Sequence, residues 1–191
     1  MNELEFAYDI TLDGWLRALE LKDANTGGHT IRVTELSLAL ARFLGIQGDE
    51  LIQLRRGAIL HDIGKIGVPD ALLNKPDPLT EAEWTLMRLH PELGYGMLAP
   101  ISFLHPAADV VYCHHENWDG SGYPRGLKGD EIPLMARIVS VCNMWDSLVS
   151  DQPYRKALSW EAALNNIEQG SGMQFAPEIV DAFMRFIKDK K

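Results

Sequence analysis

His114 to Pro124 reads HHENWDGSGYP: two adjacent imidazoles and a carboxylate directly ahead of a glycine-rich loop. Upstream stands His61-Asp62, followed by Gly64-Lys65, with further histidines at His29 and His90. Neutral imidazole together with carboxylate suits a borderline divalent metal, and gathering such groups costs free energy unless something positive binds among them. Adjacent histidines seldom arise for packing, so His114-His115 is the strongest single signal. A lone His61-Asp62 pair is weaker. On a helix the two side chains diverge by about 100°, yet at a fraying C-terminal turn both can lean toward one centre, with the aspartate bridging two metals. His29 follows Thr26-Gly27-Gly28, small residues that let the backbone approach closely, and reads as a ligand. His90, before a proline, is balanced between ligand and helix-end cap, and His105 in FLHPA reads as structural.

Lys65, three residues past Asp62, could hold a substrate phosphate or orient a metal-bound water; on its own it would read as a surface lysine. Gly120, Gly122 and Pro124 around Tyr123 define a loop of fixed shape that can present an aromatic ring to a base.

The elements that must position these groups are helical almost throughout. Leu12 to Leu21 forms a first amphipathic segment, ended by the turn-prone stretch 23–28. A second helix opens at His29 and runs to Gly45. A third, capped by Asp49, carries Leu51, Leu54, Ala58 and Ile59 into His61-Asp62. Thr80 to Glu83 has capping-box spacing, which predicts a fourth helix through Trp84, Met87 and Leu89 to His90, with Pro91 either starting the next stretch or kinking this one. Ile101 to His115 reads as one helix and Asn117 to Glu131 as a long loop. Pro133 restarts a helix through Val149, and Ser159 and Pro177 open two more. With no hairpin alternation or repeat, the expectation is an all-α single domain over 1–191.

Composition agrees with an ordinary globular protein: 46% hydrophobic and 24% charged residues in 191. A formal charge of −9 argues against general nucleic-acid binding, while leaving a small anionic substrate open if bound metals dominate the local field. Cys113 and Cys142, flanked by apolar residues, read as reduced core thiols. No secretory segment or long apolar run is present, so no membrane insertion and a cytoplasmic location are expected.

Joined together, His61-Asp62-Ile-Gly-Lys65 and His114-His115-Glu116-x-x-Asp119-Gly120-x-Gly122-Tyr123-Pro124 closely resemble the HD-GYP family. The resemblance runs from about residue 19 to 183, with 1–18 a helical lead-in. It includes Thr26-Gly-Gly-His29-x-x-Arg32-Val33, His90-Pro91-x-x-Gly94, Gly126 to Pro133 and Pro153-Tyr154. It implies an HD-type multi-helix bundle extended by additional C-terminal helices. It also implies a two- or three-metal site, commonly iron or manganese, and a bacterial phosphodiesterase that opens cyclic di-GMP to linear pGpG, sometimes onward to GMP. Carried over, His29, His61 and Asp62 serve one metal, with Asp62 bridging, and His90, His114 and His115 hold the second. Water activated at the metals attacks phosphorus, Lys65 helps stabilise the phosphoryl charge, and Gly122, Tyr123 and Pro124 shape the substrate loop. Diguanylate-cyclase-type or receiver-domain proteins are the protein partners such a domain suggests.

Several positions depart from the family. Asn143 stands where a metal-binding aspartate is usual; its carbonyl can coordinate but neutralises no charge, so the metal sharing His29, His61 and Asp62 is expected to be weakly held or absent. Asn25 replaces a glutamate associated with a third metal, which speaks against a trinuclear site. Gln152 replaces a substrate-reaching arginine, removing a charge-assisted phosphate contact, while Arg155 keeps a positive charge nearby. Ala176 replaces a capping aspartate before Pro177, a loss of about 1 kcal/mol. Two readings follow: a cyclic di-GMP phosphodiesterase, weakened by Asn143 and Gln152, or an impaired module that binds a nucleotide or a signalling partner without turnover.

Overall fold

Amphipathic periodicity becomes helix through most of the computed structural model, which describes residues 3–23, 28–151 and 155–189. The helices are α1 (Glu3–Lys22), α2 (His29–Phe43), α3 (Asp49–Leu60), α4 (Asp70–Leu73), α5 (Glu81–Met87), α6 (His90–Leu98), α7 (His105–Cys113), α8 (Leu134–Val149), α9 (Trp160–Gln169) and α10 (Pro177–Lys188). Short 3₁₀ turns follow α3 (Ile63–Gly67), precede α7 (Ser102–Leu104) and lie in the loop before α8 (Gly129–Glu131). The described residues hold no strand; Ser171 and Phe175 form an isolated bridge. The all-α expectation holds, and no described helix is long and apolar enough to cross a membrane.

Beside two smaller apolar clusters around Leu72 and Ile132, two large ones make up most of the core. One joins Val33 and Leu40 of α2, Leu54 of α3, Val139 and Trp145 of α8, and Phe183 of α10. The other joins Leu12 and Leu16 of α1, Leu60 of α3, Leu98 of α6 and Val111 of α7. Helices α3 and α7 feed both: Ala58 and Val110 face the first core, Ile59 and Val111 the second. Clamped on two sides, these helices have little freedom at their C-terminal ends, where His61 and His114 stand. The C-terminal extension is equally well seated. In α10, Ile179, Val180, Phe183, Phe186 and Ile187 recur at helical spacing and are all buried.

Three local expectations are corrected. Gly48, not Asp49, occupies the cap of α3, and Asp49 lies in the first turn, where its charge complements the helix dipole. The capping box of Thr80 and Glu83 forms, but α5 stops at Met87; Pro91 lacks an N–H and sits in the opening turn of a new helix, so His90 begins α6. The stretch from Ile101 to His115 is likewise broken, because Pro106 takes the first turn of α7.

Candidate metal centre

Helix ends leave carbonyls without intrahelical partners, and the site exploits this. His61 at the end of α3, His90 just past α5 and His114 at the end of α7 each donate Nδ1–H to the carbonyl three residues earlier. The acceptors are Ala58, Met87 and Val111, at 2.8, 2.8 and 2.9 Å. A carbonyl can only accept, so the proton is fixed on Nδ1 and each Nε2 carries a lone pair. His29 is oriented differently: its Nδ1 lies 2.6 Å from Oδ2 of Asp146 on α8. Asp146 is in turn held by Arg32, whose Nε and Nη2 donate to its two oxygens at 2.6 and 2.9 Å. A carboxylate behind a histidine in this way fixes its tautomer and raises its basicity as a ligand.

The lone pairs converge. Nε2 of His90 and Nε2 of His114 are 3.3 Å apart, and Asp62 Oδ1 lies 3.3 Å from the first and 3.9 Å from the second. Asp62 Oδ2 faces the other way, 3.4 Å from Nε2 of His61, which is buried and has no hydrogen-bond partner. Donor atoms of Asp62, His90, His114 and His115 lie within 4.8 Å of one another, as do those of His29, His61 and Asp62. The aspartate thus presents one oxygen to each group. Burial drives the imidazoles toward their neutral forms, His61 to about 4 and His115 to about 3, with His90 and His114 also lowered. At neutral pH, acceptors therefore face acceptors, and a cation placed among them turns that repulsion into coordination. The residues present fit a divalent metal, and mixed imidazole and carboxylate donors suit the borderline first-row ions.

Lys65 Nζ lies 2.7 Å from Asp62 Oδ2 and 3.4 Å from Asp23 Oδ2. Burial alone would lower its pKa, but the two carboxylates raise it, so it remains an ammonium. For Asp62, burial opposes ionisation, yet Lys65 and the neighbouring histidines hold its pKa well below the usual carboxylate range.

Glu116 does not join the imidazoles beside it in sequence. It is buried, and its two oxygens accept the backbone N–H groups of Arg125 at 2.7 Å and Leu127 at 2.9 Å. That clamps both ends of the loop carrying Tyr123. Gly122 presses against the Glu116–Asn117 backbone, where an added Cβ would come within 2.2 Å of Asn117 N. Tyr123 stacks on His115, with ring centroids 4.8 Å apart and planes 18° from parallel, and the Arg88 guanidinium lies 5.9 Å from the tyrosine centroid. The ring therefore packs on the imidazole it helps to orient. Pro124 follows it through a cis peptide bond. Glu116→Gln leaves one of the two buried N–H groups without an acceptor, a cost of about 2 kcal/mol. Thermal unfolding should show Tm lower by roughly 4–8 °C; an unchanged Tm would remove Glu116 from the loop's support.

The structure brings His29, His61, Asp62, His90, His114 and His115 together, with Lys65 at their edge. Asn143 lies on α8 one turn before Asp146 and lines a cavity shared with His114 and His115. Arg155 directs its guanidinium to the carbonyls of Ser147 and Leu148, where it caps the end of α8. Gln152 and Asn25 lie outside the described residues. His105 bonds the Ala99 carbonyl at 3.0 Å, a structural contact. Cys113 and Cys142 are buried and unpaired with each other, and burial pushes their pKa values up to about 11 and about 12. Ala176 caps α10 without a side-chain bond. Sequence reasoning missed Asp146, Arg32 and Asp23 as supports; Asp146, three residues past Asn143, carries the available signal, the single acid in a largely apolar helix.

Residues 16–179 match the family model of the HD domain. The chain is 41% identical over 187 residues to a cyclic di-GMP phosphodiesterase response regulator of Xanthomonas campestris pv. campestris, covering 97% of this chain and 50% of that protein. It is also 41% identical over 172 residues to a cyclic di-GMP phosphodiesterase of Thermotoga maritima, covering 89% and 47%. The chain thus spans about half the length of these relatives. A cyclic GMP-AMP specific phosphodiesterase of Vibrio cholerae shares the fold, with a TM-score of 0.70 at 21% identity over 94% of this chain and 48% of that one.

Proposed function

The chain belongs to the HD domain family, and on that premise we propose that it is a metal-dependent phosphodiesterase that opens cyclic di-GMP to pGpG or GMP. The observation that carries the reading is the convergence of unprotonated His90 and His114 Nε2 atoms, 3.3 Å apart, on an ionised Asp62. In the proposed assignment His29, His61 and Asp62 hold one ion, and Asp62, His90, His114 and His115 hold the second. Iron or manganese are the metals expected. Ions bound there supply Lewis acidity toward a phosphoryl oxygen and lower the pKa of water. The chain's own residues do the rest. Asp62 fixes the spacing of the two groups, and Lys65, held as an ammonium, cannot serve as a base and instead adds positive charge beside the phosphoryl oxygens. The loop of Gly122, Tyr123 and Pro124 locks His115 and walls the substrate side.

The test is anaerobic reconstitution with Fe(II) or Mn(II), followed by separation of the products from cyclic di-GMP, with His61→Ala alongside. Metal-dependent pGpG or GMP that disappears in His61→Ala is the expected result. Folded, metal-loaded protein that turns over nothing would replace the enzyme with a nucleotide- or partner-binding module, a reading that Asn143 favours because it leaves Asp62 without a second anionic partner.

Two further outcomes bear on the first ion. Asn143→Asp should raise the metal content per chain and the apparent affinity of the site formed by His29, His61 and Asp62. A variant that gains neither metal nor activity removes the account of Asn143 as a weakened ligand. Asp146→Ala deprives His29 of its orienting acceptor, and metal affinity should fall about 10- to 100-fold, measured by competition with a fluorescent chelator. Unchanged affinity would show that His29 needs no support from α8.

A further inference from the structure

Beside the imidazoles of His114 and His115 lies a cavity of about 300 Å³. One wall is the face of α8 that presents Ser140, Met144 and Ser147, at helical spacing, and Gln174 closes it from the segment ahead of α10. Among the described residues, no Asp, Glu, Lys or Arg lines it. Among the described residues, the side chains of Ser140, Ser147 and Gln174 have no hydrogen-bond partner. Gln174 is nonetheless well placed: its backbone N–H donates to Gly170 O at 2.9 Å and its carbonyl accepts from Trp118 N–H at 3.2 Å.

A phosphate would call for cationic lining, which this cavity lacks. A planar heterocycle with a polar edge calls for what it has: side-chain amides, two serine hydroxyls and a polarizable thioether. The cavity opens directly beside two of the proposed metal ligands, so a nucleotide whose phosphate lies at the metals can place its base here. We propose that this cavity is the nucleobase subsite of the phosphodiesterase centre and that it reads guanine through Gln174. The amide of Gln174 pairs with O6 and N1–H, and a serine hydroxyl accepts from the 2-amino group. Adenine, lacking that amino group, leaves the hydroxyl oxygen unpaired. The inference rests on the phosphodiesterase reading and names the group that sets its substrate preference. Gln174 is here a specificity residue, remote from the bond that breaks.

The experiment compares wild type with Gln174→Leu on cyclic di-GMP, cyclic di-AMP and bis(p-nitrophenyl) phosphate, a diester without a nucleobase. The expected result is a rise of about 10-fold in KM for cyclic di-GMP, with kcat and bis(p-nitrophenyl) phosphate turnover unchanged. The preference for cyclic di-GMP over cyclic di-AMP should narrow by the same factor. Unchanged KM and preference, or an equal loss on all three diesters, would overturn the subsite. Ser140→Ala repeats the comparison if Gln174→Leu fails to fold, with a smaller shift in the same direction. Wild type that cleaves none of the diesters overturns the phosphodiesterase reading instead. The subsite is then decided by equilibrium dialysis of guanosine 5′-phosphate, where weaker binding by Gln174→Leu supports it and equal binding overturns it.

Discussion

Asp62→Asn should leave a folded protein that retains neither of the two proposed metal ions, with metal affinity lowered by more than about 100-fold and the proposed cyclic di-GMP hydrolysis lost with it. Removing only a supporting partner of a ligand costs roughly 10- to 100-fold, and Asp62 is far more than a partner. Its Oδ1 faces His90 and His114, its Oδ2 faces His61, and both candidate groups include it. Because Asn143 is uncharged, Asp62 is also the one carboxylate in either group among the described residues; the other members are imidazoles, and burial drives those of His61, His90, His114 and His115 toward their neutral forms. Two dications without an anionic ligand would lie beside the Lys65 ammonium, an arrangement that repels them. Asparagine keeps the shape, and Lys65 keeps its contact with Asp23, so the fold should survive. Elemental analysis after gel filtration, with circular dichroism for the fold, gives the answer. A double variant, Asp62→Asn with Asn143→Asp, should recover part of the metal, since charge returns to the cluster from α8. Full metal content in Asp62→Asn would end the bridging assignment.

What the sequence made legible, and what it hid, follows from the distance over which each group acts. His61-Asp62 and His114-His115 are chain neighbours, so their pairing is visible in one dimension. The supports are not: Asp146 meets His29 across 117 residues, and Arg32 meets Asp146 across 114. Glu116 was hidden for a different reason. It stands beside two imidazoles and looks like a third ligand, but the residue after His115 points away from the cluster, into the loop, where Arg125 and Leu127 need acceptors. His90 was half legible. Helical periodicity carries through Leu89, and only Pro91, by demanding a first-turn position, moves the histidine from the end of one helix to the start of the next. The nature of the fold was the easiest part, because amphipathic spacing such as that of Ile179, Phe183 and Phe186 has one economical solution, a helix with that face buried.

Gly64→Ala should cost the protein about 3 kcal/mol and unseat His90; among the glycines of the described residues, an added methyl here makes the shortest contact. A Cβ at Gly64 would lie 1.8 Å from the His90 carbonyl oxygen and 2.5 Å from the Gly94 backbone nitrogen. Both are backbone atoms, so no side-chain rotation relieves the contact, and the turn at Ile63–Gly67 must separate from α6. Gly94 faces it from the other side, with its own added Cβ 3.1 Å from Gly64 N and 2.7 Å from Val111. The two glycines are therefore what lets His61-Asp62 and His90, carried by separate segments, share one centre. Overpacking a tight contact costs about 1–3 kcal/mol, and more where backbone must move. The expected reading is a Tm lower by roughly 6–12 °C, together with loss of metal from the group of Asp62, His90, His114 and His115. The same substitution at exposed Gly14, where an added Cβ meets nothing within 4 Å, should do neither. A Gly64→Ala protein that melts like the wild type with its metals in place would mean that the turn and α6 are not in backbone contact, and that His90 reaches Asp62 by some other approach.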